Sequence, residues 1–434
     1  MTTKTPKLST SQDTKQPPTP RLMEVLGPGL ITGASDDDPS GIATYSQVGA
    51  QFGYSIGWTL IFTYPLMCVI QLISAEIGRV TGHGIAGNLR RHYRALWLYS
   101  LVALLVIANV INIGADLGAM GAALKLLIGG PAHFYVAIFG VISVLLEIFM
   151  RYARYVSILK WLTLSLFAYV ATVFTVHVPW GTVAQELFWP TLSFNSAYLT
   201  AVLAVFGTTI SPYLFFWQAG SEVEREREIP GRNALKDTPS KAKSEMRRMK
   251  IDTFVGMFFS NLVAVFIVLT TAATLHASGQ TDIQTSAQAA EALKPLAGRF
   301  AYCLFALGII GTGLLALPVL SGSAAYALGE AFQWPVGLAK KPYKARAFYG
   351  TIAVATLLGG ALNLTPIDPV KALFWSAVLN GVVAVPIMAM LMFMAANKAV
   401  MGRYTITTVT KVLGWVATFV MALVAVGMMA TWGN

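Results

Sequence analysis

Two short stretches decide the fold: Gly33-Ala34-Ser35-Asp36-Asp37-Asp38-Pro39-Ser40-Gly41 and Phe206-Gly207-Thr208-Thr209-Ile210-Ser211-Pro212-Tyr213. Each lies inside an apolar run, and each carries a proline preceded by a small polar or acidic cluster and an upstream glycine. Proline offers no backbone N–H and its ring collides with the preceding turn, so both runs should be helices interrupted at mid-length. Three consecutive carboxylates in such a place are costly unless they meet a cation, a proton path or water. For a single segment an ordinary proline kink is an adequate account. Two at matched positions point to a site between the breaks.

Outward from these stretches the chain is apolar almost throughout. Of 434 residues 55% are hydrophobic and 12% charged, with a mean hydropathy of +0.62. That is too apolar and too evenly spread for a soluble enzyme. Runs of about 20 apolar residues, enough to cross a bilayer as helices, recur at 25–49, 55–77, 96–124, 133–150, 156–178, 198–219, 252–275, 301–328, 347–364, 371–396 and 408–431. The short alternating segments of a β-barrel are absent. The expectation is an all-α polytopic membrane protein of eleven spans. A break in the first helix of each set of five predicts an inverted 5+5 repeat, about 25–178 against 198–396, with 408–431 as an added helix.

The net charge of +11 is distributed by side of the membrane. With a cytoplasmic N-terminus, only Lys125, Lys294, Arg299 and Lys371 fall outside, and the rest of the 31 Lys and Arg fall inside. Positive charge on the cytoplasmic loops sets topology, so the basic balance calls for a lipid bilayer as partner and no nucleic acid. The expected location is the inner (plasma) membrane, with the C-terminus outside. Residues 1–22 are polar, lack the apolar core of a cleaved signal and read as a disordered cytosolic tail. Residues 23–434 form the transmembrane domain. In the longest connection, Glu222-Val223-Glu224-Arg225-Glu226-Arg227-Glu228 reads as a helix extension with i,i+4 ion pairs, broken at Pro230-Gly231. Cys68 and Cys303 share no paired spacing and read as packing residues.

Asp36, Asp37 and Asp38 cannot all ionise cheaply side by side. Asp38, immediately before the proline, is the expected cation ligand; Asp36 and Asp37 line the approach or pair elsewhere. The alternative is that all three cap a half-helix in a wet vestibule. Unwound backbone and half-helix C-termini supply carbonyl oxygens, and Ser211 adds a hydroxyl. No Cys, Met or His lies at either break, so the site is oxygen-dominated and suits hard cations such as Mg²⁺ or Mn²⁺. Asn109, Asn112 and Asp116 share one face of span 3, as pathway residues or as interhelical glue. Glu76, Glu147 and Glu330 lie near span ends, where solvation or Arg pairing is expected. The five His, at 83, 92, 133, 177 and 276, sit at span ends or in loops. Gly311-Thr312-Gly313 fits close helix packing better than phosphate binding.

At this point the residues resemble the Nramp divalent-metal transporters. The resemblance is carried by Gly27-Pro28-Gly29-Leu30, Asp38-Pro39-Ser40-Gly41-Ile42-Ala43-Thr44, Gln51-Phe52-Gly53-Tyr54, Val80-Thr81-Gly82-His83-Gly84, Asn397-Lys398-Ala399-Val400-Met401-Gly402 and Lys411-Val412-Leu413-Gly414-Trp415. It implies a LeuT-like fold of eleven or twelve spans, with metal between helices 1 and 6 and the Thr208 carbonyl as a further ligand. The departures are equally specific. The family's Asp-Pro-Gly-Asn becomes Asp38-Pro39-Ser40-Gly41, and its Met-Pro-His becomes Ser211-Pro212-Tyr213. Thioether and imidazole are both lost. The acidic pair of helix 3 falls at Ile113 and Asp116, so half of that proton path is missing. The pattern resembles the Nramp-related magnesium-transporter branch and implies weak or absent proton coupling.

The expected function is therefore secondary transport of a divalent cation, Mg²⁺ or Mn²⁺, by alternating access. The cation is substrate rather than cofactor, no other cofactor or obligate protein partner is expected, and no enzyme motif appears. The sequence also allows an organic-solute transporter, for an amino acid or amine, on the same fold.

Overall fold

The computed structural model describes residues 28–150, 164–228 and 233–432. The expected tail 1–22, the start of span 5 and the Pro230-Gly231 break lie outside them. The described residues form α1 (Pro28–Asp36), α2 (Pro39–Phe52), α3 (Trp58–Thr81), α4 (Ile85–His92), α5 (Ala95–Ile128) and α6 (Ala132–Phe149). They continue with α7 (Phe167–Val173), α8 (Trp180–Phe188), α9 (Ser196–Thr209), α10 (Pro212–Glu228), α11 (Ala242–Thr274) and α12 (Ser286–Glu291). The chain ends in α13 (Lys294–Ala297), α14 (Ala301–Ala331), α15 (Arg346–Leu362), α16 (Pro369–Ala396), α17 (Lys398–Met401) and α18 (Thr408–Thr431). No strand occurs among the described residues.

Both predicted breaks are present. The first separates α1 from α2 at Asp37 and Asp38, and the second separates α9 from α10 at Ile210 and Ser211. Prolines alone do not explain them, because Pro65, Pro318 and Pro386 sit inside continuous helices. Those three lack the short polar side chain that stands immediately before Pro39 and Pro212. At Pro39 the Asp38 carboxylate accepts the Gly41 N–H at 2.7 Å and caps the new helix. At Pro212 the Ser211 hydroxyl donates to the Gly207 and Thr208 carbonyls at 2.7 and 2.9 Å, satisfying the end of the old one.

The two halves exchange partners symmetrically. α1 and α2 pack on α11, the second span of the second half, while α10 packs on α3, the second span of the first. The backbones approach closely enough to exclude side chains. A Cβ on Gly33 would lie 2.3 Å from the Gly256 carbonyl oxygen, and one on Gly207 would lie 2.0 Å from that of Ala377 on α16. Such seams replace the hydrophobic driving force that lipid does not supply.

Among the described residues eight helices, or joined helix pairs, are long and apolar enough to cross a membrane, and α15 and the described part of span 5 are shorter apolar helices. The lipid-facing α18 and α6 leave Phe419, Leu423 and Phe149 exposed. Cys68 is buried as expected, whereas Cys303 is exposed on α14.

Two sequence expectations are incomplete. The charged run of α10 finds partners across helices as well as within its own, where Arg225 acts on Glu222. Arg79 of α3 binds Glu226 at 2.8 Å, Arg248 of α11 binds Glu222 at 2.5 Å, and Glu224 accepts the Tyr326 hydroxyl of α14. The neighbouring helices present these partners at the level of the run, which sequence spacing alone does not reveal. Glu147 is buried rather than solvated, with Ser143 and Ser321 donating to it at 3.0 and 2.8 Å. Glu330 likewise accepts backbone N–H groups, from Gly84 and Gly87.

Candidate functional site

The two breaks face one another. Gly41, on the first turn of α2, lies where a Cβ would be 3.2 Å from the Thr208 Oγ1 and 3.3 Å from the Asp36 carbonyl. A side chain at 41 would therefore enter the gap between the broken helices. Asp38 is the centre of the arrangement and 1% exposed. Its Oδ1 accepts from the Ser40 hydroxyl and the Gly41 N–H, both at 2.7 Å. Its Oδ2 accepts from the Tyr213 hydroxyl at 3.1 Å and the Asn112 amide at 3.3 Å. One oxygen thus serves the helix cap and the other faces the space between α2, α5 and α10.

Ser211 and Thr208 supply neutral oxygens from the opposite break. The Ser211 hydroxyl spends its proton on its own helix, which leaves its lone pairs free to meet a cation. The Thr208 carbonyl accepts that proton at 2.9 Å, so both oxygens stand side by side at the end of α9.

The three consecutive carboxylates do not act together. Asp36 and Asp37 turn away from Asp38 to the Ser260 hydroxyl of α11, at 2.6 and 3.2 Å. Asp37 lines a cavity of about 200 Å³ between α1, α7 and α11. The reading of these two as pairing elsewhere is the one the geometry follows. Among the described residues no three His, Cys, Asp or Glu side chains form a ready-made metal cluster. The donor set around Asp38 is one carboxylate among neutral oxygens.

On α5 the predicted polar face divides. Asn109 donates to the Leu320 carbonyl at 2.9 Å and the Ser323 hydroxyl at 2.7 Å, tying α5 to α14. Asn112 reaches Asp38, and Asp116 is buried beside the Ser40 backbone within the field of Asp38. Tyr213 is fully buried and also reaches the Ser35 carbonyl at 3.3 Å. Sequence reasoning passed over Asn380 of α16. It is buried with neither amide atom hydrogen-bonded among the described residues, next to Gly381, which packs against Gly207 at the second break. A lone Asn in the middle of an apolar run was the available signal.

On one face the gap is sealed. The Gly29 N–H donates to Asp252 of α11 at 2.9 Å, and the Thr32 hydroxyl meets Gln218 Oε1 of α10 at 2.5 Å. Beyond these lies the lattice of Arg79, Glu226, Glu245, Arg248 and Glu222.

Paired broken helices around a buried carboxylate define a transporter of the inverted-repeat class. The chain matches the Natural resistance-associated macrophage protein-like (Nramp) family over residues 29–431, and it belongs to that family. It is 26% identical over 407 residues to the divalent metal cation transporter MntH of Klebsiella pneumoniae, covering 91% of each chain. Among solved structures it resembles the Eremococcus coleocola manganese transporter, with a TM-score of 0.73 at 17% identity, covering 98% of this chain and 91% of that one. It also resembles Mhp1, a nucleobase-cation-symport-1 family transporter, with a TM-score of 0.55 at 14% identity, covering 94% and 92%. These likenesses bear out the LeuT-like fold.

Proposed function

We propose that the protein moves a divalent cation, Mg²⁺ or Mn²⁺, across the cytoplasmic membrane by alternating access, with weak or no coupling to protons. The observation that carries this reading is the Asp38 carboxylate, buried at the first break with one oxygen turned toward the second. Ser211 and the Thr208 carbonyl complete a hard, all-oxygen set, with water filling the remaining positions. Asn112 and Asp116 line the path on α5, Gly41 keeps the gap open and Tyr213 holds the carboxylate between cations. The family membership and the naming of the Klebsiella relative as a divalent metal cation transporter support the substrate class. The Lys and Arg distribution supports a cytoplasmic N-terminus and an external C-terminus.

The test is uptake into metal-free proteoliposomes. Asp38→Asn should abolish Mn²⁺ uptake and its competition by Mg²⁺ while leaving the melting temperature near wild type. An imposed pH gradient should leave wild-type uptake unchanged. Undiminished transport by the variant would remove the central role of Asp38.

Tyr213 motivates a second reading, since an aromatic hydroxyl against a carboxylate also suits an amine or amino acid. Thermal stabilisation by such a solute, with no response to any divalent ion, would favour it.

A further inference from the structure

A second polar cavity lies away from Asp38, on the Lys- and Arg-rich face. It measures about 610 Å³ and is lined by His83, Arg90, Arg91, Arg227, Gln333 and Lys340, among others. Its cations come from three places in the chain: α4, the end of α10, and the connection from α14 to α15. Glu330 is the one carboxylate in the lining, and its oxygens are already taken by the Gly84 and Gly87 N–H groups at 2.7 and 2.9 Å. That carboxylate caps α4 and fixes where Arg90 and Arg91 stand.

Arg90 donates to the Ala331 carbonyl and is held at the rim. The side chains of Arg91, Arg227 and Lys340 are exposed and make no hydrogen bond or ion pair among the described residues. Arg91 and Arg227 act on Glu330 only through space. A concave site with four cations, one of them held at the rim, against one occupied carboxylate is built for an anion with several oxygens, and guanidinium forks match phosphate.

The rim shows which phosphate. Trp334 lines the cavity and stacks on Phe332 at 5.2 Å between ring centroids. Phe332 in turn meets Tyr99 of α5 at 5.7 Å, and Trp97 on the same helix is 51% exposed. This is an aromatic strip running from the basic cavity onto the membrane-facing start of α5, the setting in which such rings sit at headgroup level. A soluble phosphate has no use for it; an amphiphile does.

We infer that this cavity binds the phosphate of an anionic phospholipid of the cytoplasmic leaflet, with the acyl chains lying along Trp334, Phe332 and Tyr99. A bound headgroup bridges α4, α10 and the α14–α15 connection, and so ties together elements from both halves beside the sealed face.

The test measures lipid binding to the purified full-length protein by native mass spectrometry and thermal unfolding. Phosphatidylglycerol should leave retained adducts and raise the melting temperature, and phosphatidylcholine should do neither. Each basic residue near a lipid surface is worth about fivefold in affinity. Arg91→Ala with Arg227→Ala should therefore weaken phosphatidylglycerol binding about 30-fold, with the lipid-free melting temperature unchanged. If that variant folds poorly, Lys340→Gln provides the same readout at about fivefold. Equal binding of the two lipids, or phosphatidylglycerol binding indifferent to these substitutions, would overturn the inference. Stabilisation by inorganic phosphate or ATP equal to that by phosphatidylglycerol would also overturn it, in favour of a soluble phosphate ligand.

Discussion

At the scale of single residues, Tyr213 and Ser211 distinguish this site from the pattern its relatives suggest. The Tyr213 hydroxyl donates to the Asp38 oxygen that faces the second break. A hydrogen bond to a charged group is worth about 1.5–3 kcal/mol. Tyr213→Phe should therefore destabilise the cation-free protein and tighten cation binding by about tenfold or more, because the cation no longer displaces that donor. Calorimetric titration with Mn²⁺ checks it, and weaker binding would contradict the role. Ser211→Met restores a thioether at the break and should shift competition toward Cd²⁺ over Mg²⁺; an unchanged preference order would mean that position 211 does not face the cation. Asp38 was legible in the sequence because a carboxylate before a membrane proline has few other uses. That Asp36 and Asp37 could pair elsewhere was also legible, but their partner was not, since Ser260 lies 224 and 223 residues away. The glue role of Asn109 was one of two readings, and its α14 partner and the setting of Asn380 were hidden in the same way.

At the scale of elements, the seams between helices are set by glycine. Gly207→Ala would drive a methyl group into the Ala377 carbonyl and the Gly381 backbone on α16, so α9 must shift against its neighbour. Overpacking of this kind costs about 1–3 kcal/mol. The variant should melt several degrees lower and transport poorly, whereas Gly350→Ala, with open space around it, should match wild type in both assays. Equal behaviour of the two would show that the seam tolerates separation. Helix breaks were readable from Pro39 and Pro212 because polar residues precede both. The continuity of the helices at Pro65, Pro318 and Pro386 follows from the same rule applied in reverse. The cross-helix partners of the α10 charges were not readable, because i,i+4 spacing is visible in a sequence and a neighbouring helix at the same height is not.

At the scale of the whole molecule, hydropathy and positive charge outlined the spans, and the partner exchange of α1–α2 with α11 and of α10 with α3 makes the inverted repeat a packing fact. The lattice at the sealed face joins these halves. Arg79 is wholly buried, held by Glu226 at 2.8 Å and by the Asn233 carbonyl at 2.8 Å, with Glu245 at 3.6 Å. Removing one partner of such a buried pair leaves an uncompensated charge and costs about 3–5 kcal/mol, so the lattice does not tolerate the loss of either side. The lattice is thus an insulator. In the proposed cycle it keeps an idle carrier shut at this face and protects the ion gradients of the membrane from being short-circuited between turnovers. Glu226→Gln should loosen that seal, seen as faster Mn²⁺ efflux from preloaded vesicles than the uncoupled wild type gives; a rate equal to wild type would place the seal elsewhere.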